Sequence, residues 1–341
     1  MRRGRALSTF LLSLGLSVAL VAWLLSRIEL ADLVRTLAGI YLPSLGLYAL
    51  LSLAGSGLRA HRYRLLIGPE RIGPGGIFVV TLIRNLFVDL LPAKLGSLSY
   101  VYLLVRRFGL SLELGASTFL LAAVFDALSL SPILLLAIFA VGLGTSRLST
   151  TQFSLLALAF LLLLALLLAA LPALLRAALR VGERLLRAAG AGERWGLPYL
   201  VQKVRLTIEA IDAIRARGVY ARVFVLSLAL RVLKYGSLYF LLHALLLRQG
   251  FPLAALNFWQ VVLGIAGAEF SANLPVQGIA GLGTWETAFA LTFRLMGYDE
   301  RIAIVAGFGL HLVTQLYEYA LGALAILLLP LAAARPSRPA G

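Results

Sequence analysis

Arg84-Asn85-Leu86-Phe87-Val88-Asp89-Leu90-Leu91-Pro92-Ala93-Lys94-Leu95-Gly96 is the stretch on which the fold depends. Asn85 and Asp89, four residues apart, share one helical face just before a Leu-Pro pair that the helix cannot cross. A second stretch has the same form. In Glu269-Phe270-Ser271-Ala272-Asn273-Leu274-Pro275, Glu269 and Asn273 are again four apart, and the chain runs on through Gly278 to Gly281-Leu282-Gly283-Thr284-Trp285-Glu286. In hydrocarbon a broken helix is tolerated only where its freed backbone groups are buried in protein or line a watery cavity. A matched pair of breaks therefore predicts a transporter-like core.

The surrounding composition puts these breaks in a membrane. Hydrophobic residues make up 61% of the chain and charged residues 13%, with a mean hydropathy of +0.94. Several uninterrupted apolar runs reach spanning length, so the fold class is an all-α polytopic membrane protein. The formal charge of +16 does not indicate nucleic-acid binding, because the arginines flank hydrophobic segments and there act as orientation and headgroup signals. The absence of cysteine excludes disulfides, thiolate metal sites and cysteine nucleophiles. Arg2, Arg3 and Arg5 precede an apolar run from Ala6 to Ser26 that is longer than a signal-peptide core and lacks a small-residue cleavage site. It reads as a retained first helix.

Six spans are expected, at roughly Ala6–Ser26, Ile40–Gly57, Leu114–Leu143, Phe153–Leu175, Val223–Leu247 and Ile302–Leu331. Arginine clusters at the N-terminus, at Arg59, Arg62, Arg64 and Arg71, between Arg176 and Arg222, and at Arg335 and Arg338 assign those parts, and both termini, to the cytoplasmic side of the cell membrane. The loops near Glu29 and Asp32, near Arg147 and from Arg248 to Phe251 then face outside. The first broken stretch starts and ends among cytoplasmic arginines, whereas the second starts and ends outside. Ten full spans would satisfy the same charges. The reading adopted is six spans plus two re-entrant hairpins in an inverted repeat, within one integral domain over residues 1–341. The repeat halves are residues 40–143 and 223–331, joined by a cytoplasmic amphipathic linker over residues 176–222. Val201, Val204, Ile208 and Ile211 give that linker an apolar stripe expected to lie on the inner membrane surface.

The motifs at Leu91 to Gly96 and Arg107 to Ser111, together with Asp126, Leu274-Pro275 and Gly281 to Glu286, resemble the flippase-like family that includes the transmembrane region of lysylphosphatidylglycerol synthase. The resemblance covers about Arg59 to Leu329 and implies movement of a lipid, or a lipid-linked headgroup, between leaflets. No stretch is long and polar enough to fold as the synthase's soluble aminoacyl-transfer domain, so lipid aminoacylation is not expected. The sequence departs from the family where relatives carry Glu and Arg after the first glycine, having Ser97 and Tyr100. Ala123 stands where an arginine is usual, and Gln277-Gly278-Ile279-Ala280 replaces a proline and glycine pair. These changes leave the substrate open.

A charged residue at a helix centre costs about 2.5–3.5 kcal/mol on insertion scales, so Asp89, Asp126, Arg231, Lys234 and Glu269 should face the bundle interior and pair. Arg231 and Lys234 suit either a structural ion pair with Asp126 or Glu269, or an anionic headgroup. Asn85, Asp89, Lys94, Glu269, Asn273 and Glu286 flank the breaks and are the pathway candidates; their alternative role is to satisfy backbone groups released by Pro92 and Pro275. Gly96, Gly281 and Gly283 suit either helix N-termini that bind phosphate or close helix packing. His61, His243 and His311 lack metal-ligand spacing, and Trp23, Trp195, Trp259 and Trp285 read as interface anchors. Expected partners are membrane lipids with anionic headgroups. No cofactor or nucleic acid is expected, and the oligomeric state stays open. With no G-x-x-x-x-G-K-[ST] motif, transport is expected to be passive or driven by an ion gradient. The rival readings are a membrane enzyme acting on a lipid-linked substrate, a small-solute carrier and a non-transporting scaffold.

Overall fold

The computed structural model describes residues 15, 17–142, 150–188, 197–271 and 279–333. The described residues are helical throughout, apart from turns. The helices are α1 (residues 17–25), α2 (Leu30–Ala38), α3 (Leu42–Ile67), α4 (Pro74–Leu90), α5 (Leu98–Phe108) and α6 (Leu112–Gly142). They continue with α7 (Thr150–Ala188), α8 (Leu197–Ala216), α9 (Tyr220–Leu246), α10 (Phe258–Ser271), α11 (Thr284–Leu295) and α12 (Glu300–Ala333). Among the described residues, α6, the stretch Tyr220–Gln249 and the stretch Glu300–Ala332 are each long and apolar enough to cross a membrane. The pair α2 and α3, bent by 80° at their junction, forms a fourth if counted as one span.

The helices that flank each break pack on each other as a hairpin. Gly73 precedes α4 with Pro74 in the first turn, where proline leaves no hydrogen bond unmade. At the far end Pro92 drives Leu91 to an extended conformation (φ −98°, ψ 136°), and α4 stops there. A 3-10 turn over Pro92–Ser97 then reverses the chain into α5, which ends at left-handed Gly109 (φ 66°). The second hairpin runs from α10 to α11, its tip including a 3-10 turn over Ile279–Gly281. The tips of the two hairpins touch each other. A long helix, a hairpin and a long helix thus follow in that order twice, as α3 to α6 and as α9 to α12.

Two apolar cores lie at opposite ends of the long helices. One joins Ala60, Tyr63 and Leu66 of α3 to the first hairpin, the start of α6 and Ala325 and Leu329 near the end of α12. The other joins Tyr48 near the start of α3 and Ala137 of α6 to the second hairpin, the end of α9 and the first half of α12. The two hairpins therefore pack at opposite ends of the long helices, and the middle of each long helix is left for polar groups.

Three expectations change. The second span does not stop at Gly57: no breaker occurs until Gly68-Pro69, so α3 continues to Ile67 and carries Arg59 and Arg62 inside the bundle. The stripe on α8 is divided: Ile208 and Ile211 are buried where α8 packs against α6 and α7, Val204 stays exposed, and Lys203 pairs with Glu113 at the start of α6. Trp285 is no interface anchor, because it stacks on His311 at 5.0 Å and on Phe289 at 5.4 Å beside the second tip. Trp195, Arg147, Arg335 and Arg338 lie outside the described residues.

Candidate functional site

The polar layer between the two cores is built from the centres of α3, α6, α9 and α12 and from the inner ends of α4 and α10. Arg62 of α3 has no exposed surface. Its guanidinium forks onto Asp126 of α6, with Nη1 donating to Oδ1 at 2.6 Å and Nη2 to Oδ2 at 3.3 Å, while Nη1 also donates to Ser227 of α9 at 2.7 Å. A planar fork is the geometry that best offsets the desolvation of both charges. The Asp126 carboxylate thus belongs to Arg62 rather than to Arg231 or Lys234.

Arg231 and Lys234 converge on Glu269 of the second hairpin. Lys234 Nζ lies 2.5 Å from Oε1 and Arg231 Nη1 lies 3.5 Å from Oε2. Arg231 also donates to the backbone carbonyl of Asp126 at 2.8 Å. These contacts tie α6, α9 and α10 together, and they supply the structural pairing that the sequence admitted for both cations.

On the other side of the layer the pairing is incomplete. Asn85 of α4 accepts at Oδ1 from Arg59 Nη1 at 3.0 Å and from Arg84 Nη1 at 3.3 Å, and its amide donates to Ser56 at 3.3 Å. Among the described residues, no carboxylate is within ion-pair distance of Arg59 or Arg84, and none of the cations is within that distance of Asp89 or Glu318. Glu318 Oε2 is buried with no hydrogen-bond partner. Asp89 and Glu318 nevertheless lie within electrostatic reach of each other and of Arg59 and Lys234.

The second tip is held by a chain of hydrogen bonds. Glu286, with no exposed surface, accepts the Gly283 N–H at Oε2 (2.8 Å) and contacts His311 Nδ1 through Oε1 (2.6 Å). The Gln315 amide reaches His311 Nε2 and the Ala280 carbonyl, each at 2.8 Å. This network assigns the His311 proton to Nδ1, facing the carboxylate, and leaves Nε2 to accept. It also braces an unusual backbone: Ala280 is left-handed at φ 53°, and Gly281 and Gly283 follow at φ 76° and 85°. A Cβ on Gly283 would approach Leu20 Cβ to 2.8 Å, so α1 packs directly on this turn. Glu286 therefore caps α11 and is enclosed, in keeping with the backbone-satisfying alternative for the break-flanking residues.

At the first tip the glycine role is close packing. A Cβ on Gly96 would stand 1.7 Å from the Phe87 carbonyl oxygen of α4. Pro92 and Lys94 belong to the 3-10 turn, but the positions of their side chains, like the whole of Asn273 and Pro275, lie outside the described residues. The layer thus brings together Asn85, Asp89, Asp126, Arg231, Lys234 and Glu269, with Glu286 behind the second tip. Sequence reasoning missed Arg59, Arg62 and Arg84 as interior residues. The available signal was Ser56, Arg59 and Arg62 recurring every three residues with no breaker before Gly68-Pro69. His243 is satisfied by Ser44, with Oγ and Nδ1 2.8 Å apart, and among the described residues no group of histidines and carboxylates is disposed to hold a metal.

No curated protein and no solved structure matches the chain. The profile of the family described as the lysylphosphatidylglycerol synthase TM region matches residues 10–336, nearly the whole length. A helical bundle with membrane-spanning helices and two opposed hairpins, matched over that extent, belongs to the family of the lysylphosphatidylglycerol synthase TM region.

Proposed function

We propose that the protein moves a lipid, or a lipid-linked headgroup, between membrane leaflets without changing it covalently. The observation that carries this reading is the charged layer at the inner ends of two hairpins that pack at opposite ends of the long helices and touch at their tips. An apolar interface would suffice for a scaffold, and it would not place, among the described residues, the four carboxylates and five cations of the layer at the centre of a bundle against the cost of burying them. A headgroup crosses by way of the layer while its acyl or prenyl tails stay in lipid. The twofold order of helix, hairpin and helix supports an inverted repeat, and rocking of one repeat against the other then opens the layer to each side in turn. The surplus of cations favours an anionic or phosphate-bearing headgroup, with Lys94 assigned to the inner mouth. Asp89, Asn273 and Glu269 are assigned to the pathway, with Pro92, Pro275, Gly281 and Gly283 shaping its ends.

In vesicles carrying a headgroup-labelled anionic lipid, the protein is expected to expose inner-leaflet label to an impermeant quencher faster than protein-free vesicles do. Asp89→Asn and Glu269→Gln should remove most of that excess rate. Chemical conversion of the lipid would replace this reading by the enzyme, and solute uptake with no excess lipid movement would replace it by the carrier.

The orientation proposed with this function places both termini in the cytoplasm of a cell-membrane protein. Because the chain lacks cysteine, single cysteines report sidedness against no background. Glu70→Cys, beside the first hairpin, should react with an impermeant thiol reagent from the cytoplasmic side, and Leu253→Cys, before the second, from outside. Labelling of both from one side would sink the opposed arrangement.

A further inference from the structure

Among the described residues, Arg59 and Arg84 are the cations of the layer with no carboxylate within ion-pair distance. Arg62 has Asp126, and Arg231 and Lys234 have Glu269. Arg59 and Arg84 instead meet at one neutral oxygen, Asn85 Oδ1, at 3.0 Å and 3.3 Å. Among the described residues, Arg84 Nε is buried with no hydrogen-bond partner, as are the Nε atoms of Arg62 and Arg231. The neighbouring carboxylates form no ion pair with them: both Asp126 oxygens are engaged by Arg62, and Asp89 and Glu318 act on them only at longer range.

Two guanidiniums held together by a shared neutral acceptor repel each other, and a chain of this composition has no membrane-surface reason to keep them there. Their depth is informative as well. Arg59 is eight residues from the end of α3 at Ile67, and Arg84 is ten residues from the start of α4 at Pro74. At the helical rise both are about 12–15 Å in from that end of the bundle, near the middle of a hydrocarbon layer. The α4 side of the site adjoins the first hairpin's break, and Asn85 fixes both forks through its link to Ser56.

We propose that Arg59 and Arg84 form a subsite for the phosphate group of a lipid headgroup, with Asn85 positioning the two forks. Paired guanidiniums present planar donors that match phosphate oxygens bidentately, which a lysine cannot do. Phosphate oxygens can take up donors of both arginines that the fold leaves unused. The lipid origin of that phosphate rests on the transport reading above; the anion site itself does not.

The test uses the purified full-length protein in neutral detergent, with thermal stability followed against dioctanoyl phosphatidic acid, dioctanoylglycerol and inorganic phosphate. Wild-type protein should be stabilised by the phosphatidic acid and by neither of the others. Arg59→Gln and Arg84→Gln should each weaken the apparent affinity at least about tenfold, while Arg35→Gln, on exposed α2, leaves it unchanged. The ligand-free Gln variants should melt near the wild-type temperature, because among the described residues neither arginine takes part in an ion pair and glutamine can still donate to Asn85. Should either fail to fold, Arg84→Lys keeps the charge without the fork and should bind more weakly; wild-type affinity in that variant overturns the proposal. Equal stabilisation by dioctanoylglycerol, or unchanged affinity in both Gln variants, also overturns it. Equal stabilisation by inorganic phosphate overturns the lipid assignment and leaves a soluble-phosphate site. Lipid binding that depends on both arginines, with no lipid movement in vesicles, would sink the transport reading and leave the phosphate subsite standing.

Discussion

Asp126→Ala should lower the melting temperature of the purified protein by roughly 6–10 °C, the equivalent of about 3–5 kcal/mol in a chain of this size. The reason is that Arg62 has no exposed surface and its fork is committed to Asp126 at 2.6 Å and 3.3 Å. Without the carboxylate, a guanidinium remains in the bundle with Ser227, the Tyr63 ring at 5.7 Å and long-range charges as its remaining neighbours. Removing both charges by combining Asp126→Leu with Arg62→Met should recover most of the loss, since a buried ion pair is worth little more than apolar packing of similar volume. Melting curves of the single and double variants decide the matter. A single variant as stable as wild type would mean that the pair does not hold the layer together.

Gly96→Ala should be harsher than its one added methyl suggests. The new Cβ would sit 1.7 Å from Phe87 O, 2.0 Å from Phe87 C and 2.4 Å from Val88 N. These are backbone atoms of α4, so no rotamer change relieves the clash, and the turn over Pro92–Ser97 has to leave its seat on that helix. The expected cost exceeds about 3 kcal/mol, beyond ordinary overpacking of a core. Gly46 and Gly236 have open space around them, and alanine there should be neutral or mildly stabilising through helix propensity. Yield of monodisperse protein and its melting temperature, compared across the three variants, check this. A well-folded Gly96→Ala protein would show that the first tip is not seated as described.

What was legible in the sequence follows from which forces are local. Proline and the residue before it act on their own neighbours, so both hairpin breaks could be placed from Leu91-Pro92 and Leu274-Pro275 alone; the first is present at Leu91, and the second falls outside the described residues. Apolar length marked α6, α9 and α12 for the same reason. The partners of the interior charges were not legible, because pairing joins residues such as Arg62 and Asp126, 64 positions apart. Loop rules also misassigned Arg59 and Arg62, since an arginine just past an apolar run looks the same whether it reaches headgroups or turns inward to a carboxylate on another helix. Glu286 was found as a polar residue near a break, but its commitment to the Gly283 N–H and to His311 needed the left-handed backbone at Ala280, Gly281 and Gly283 to be seen.

The contact between the two hairpin tips has an electrical consequence. The tips meet at the polar layer between the two apolar cores, so a charge carried past them moves through the membrane voltage. In the proposed transport, a headgroup of one negative charge taken from one leaflet to the other crosses the whole of that drop. A potential of 100 mV, negative inside, then favours its outward passage by about 2.3 kcal/mol. The resting voltage of the cell becomes a driving force in its own right, acting on any anionic cargo without a nucleotide or a co-transported ion.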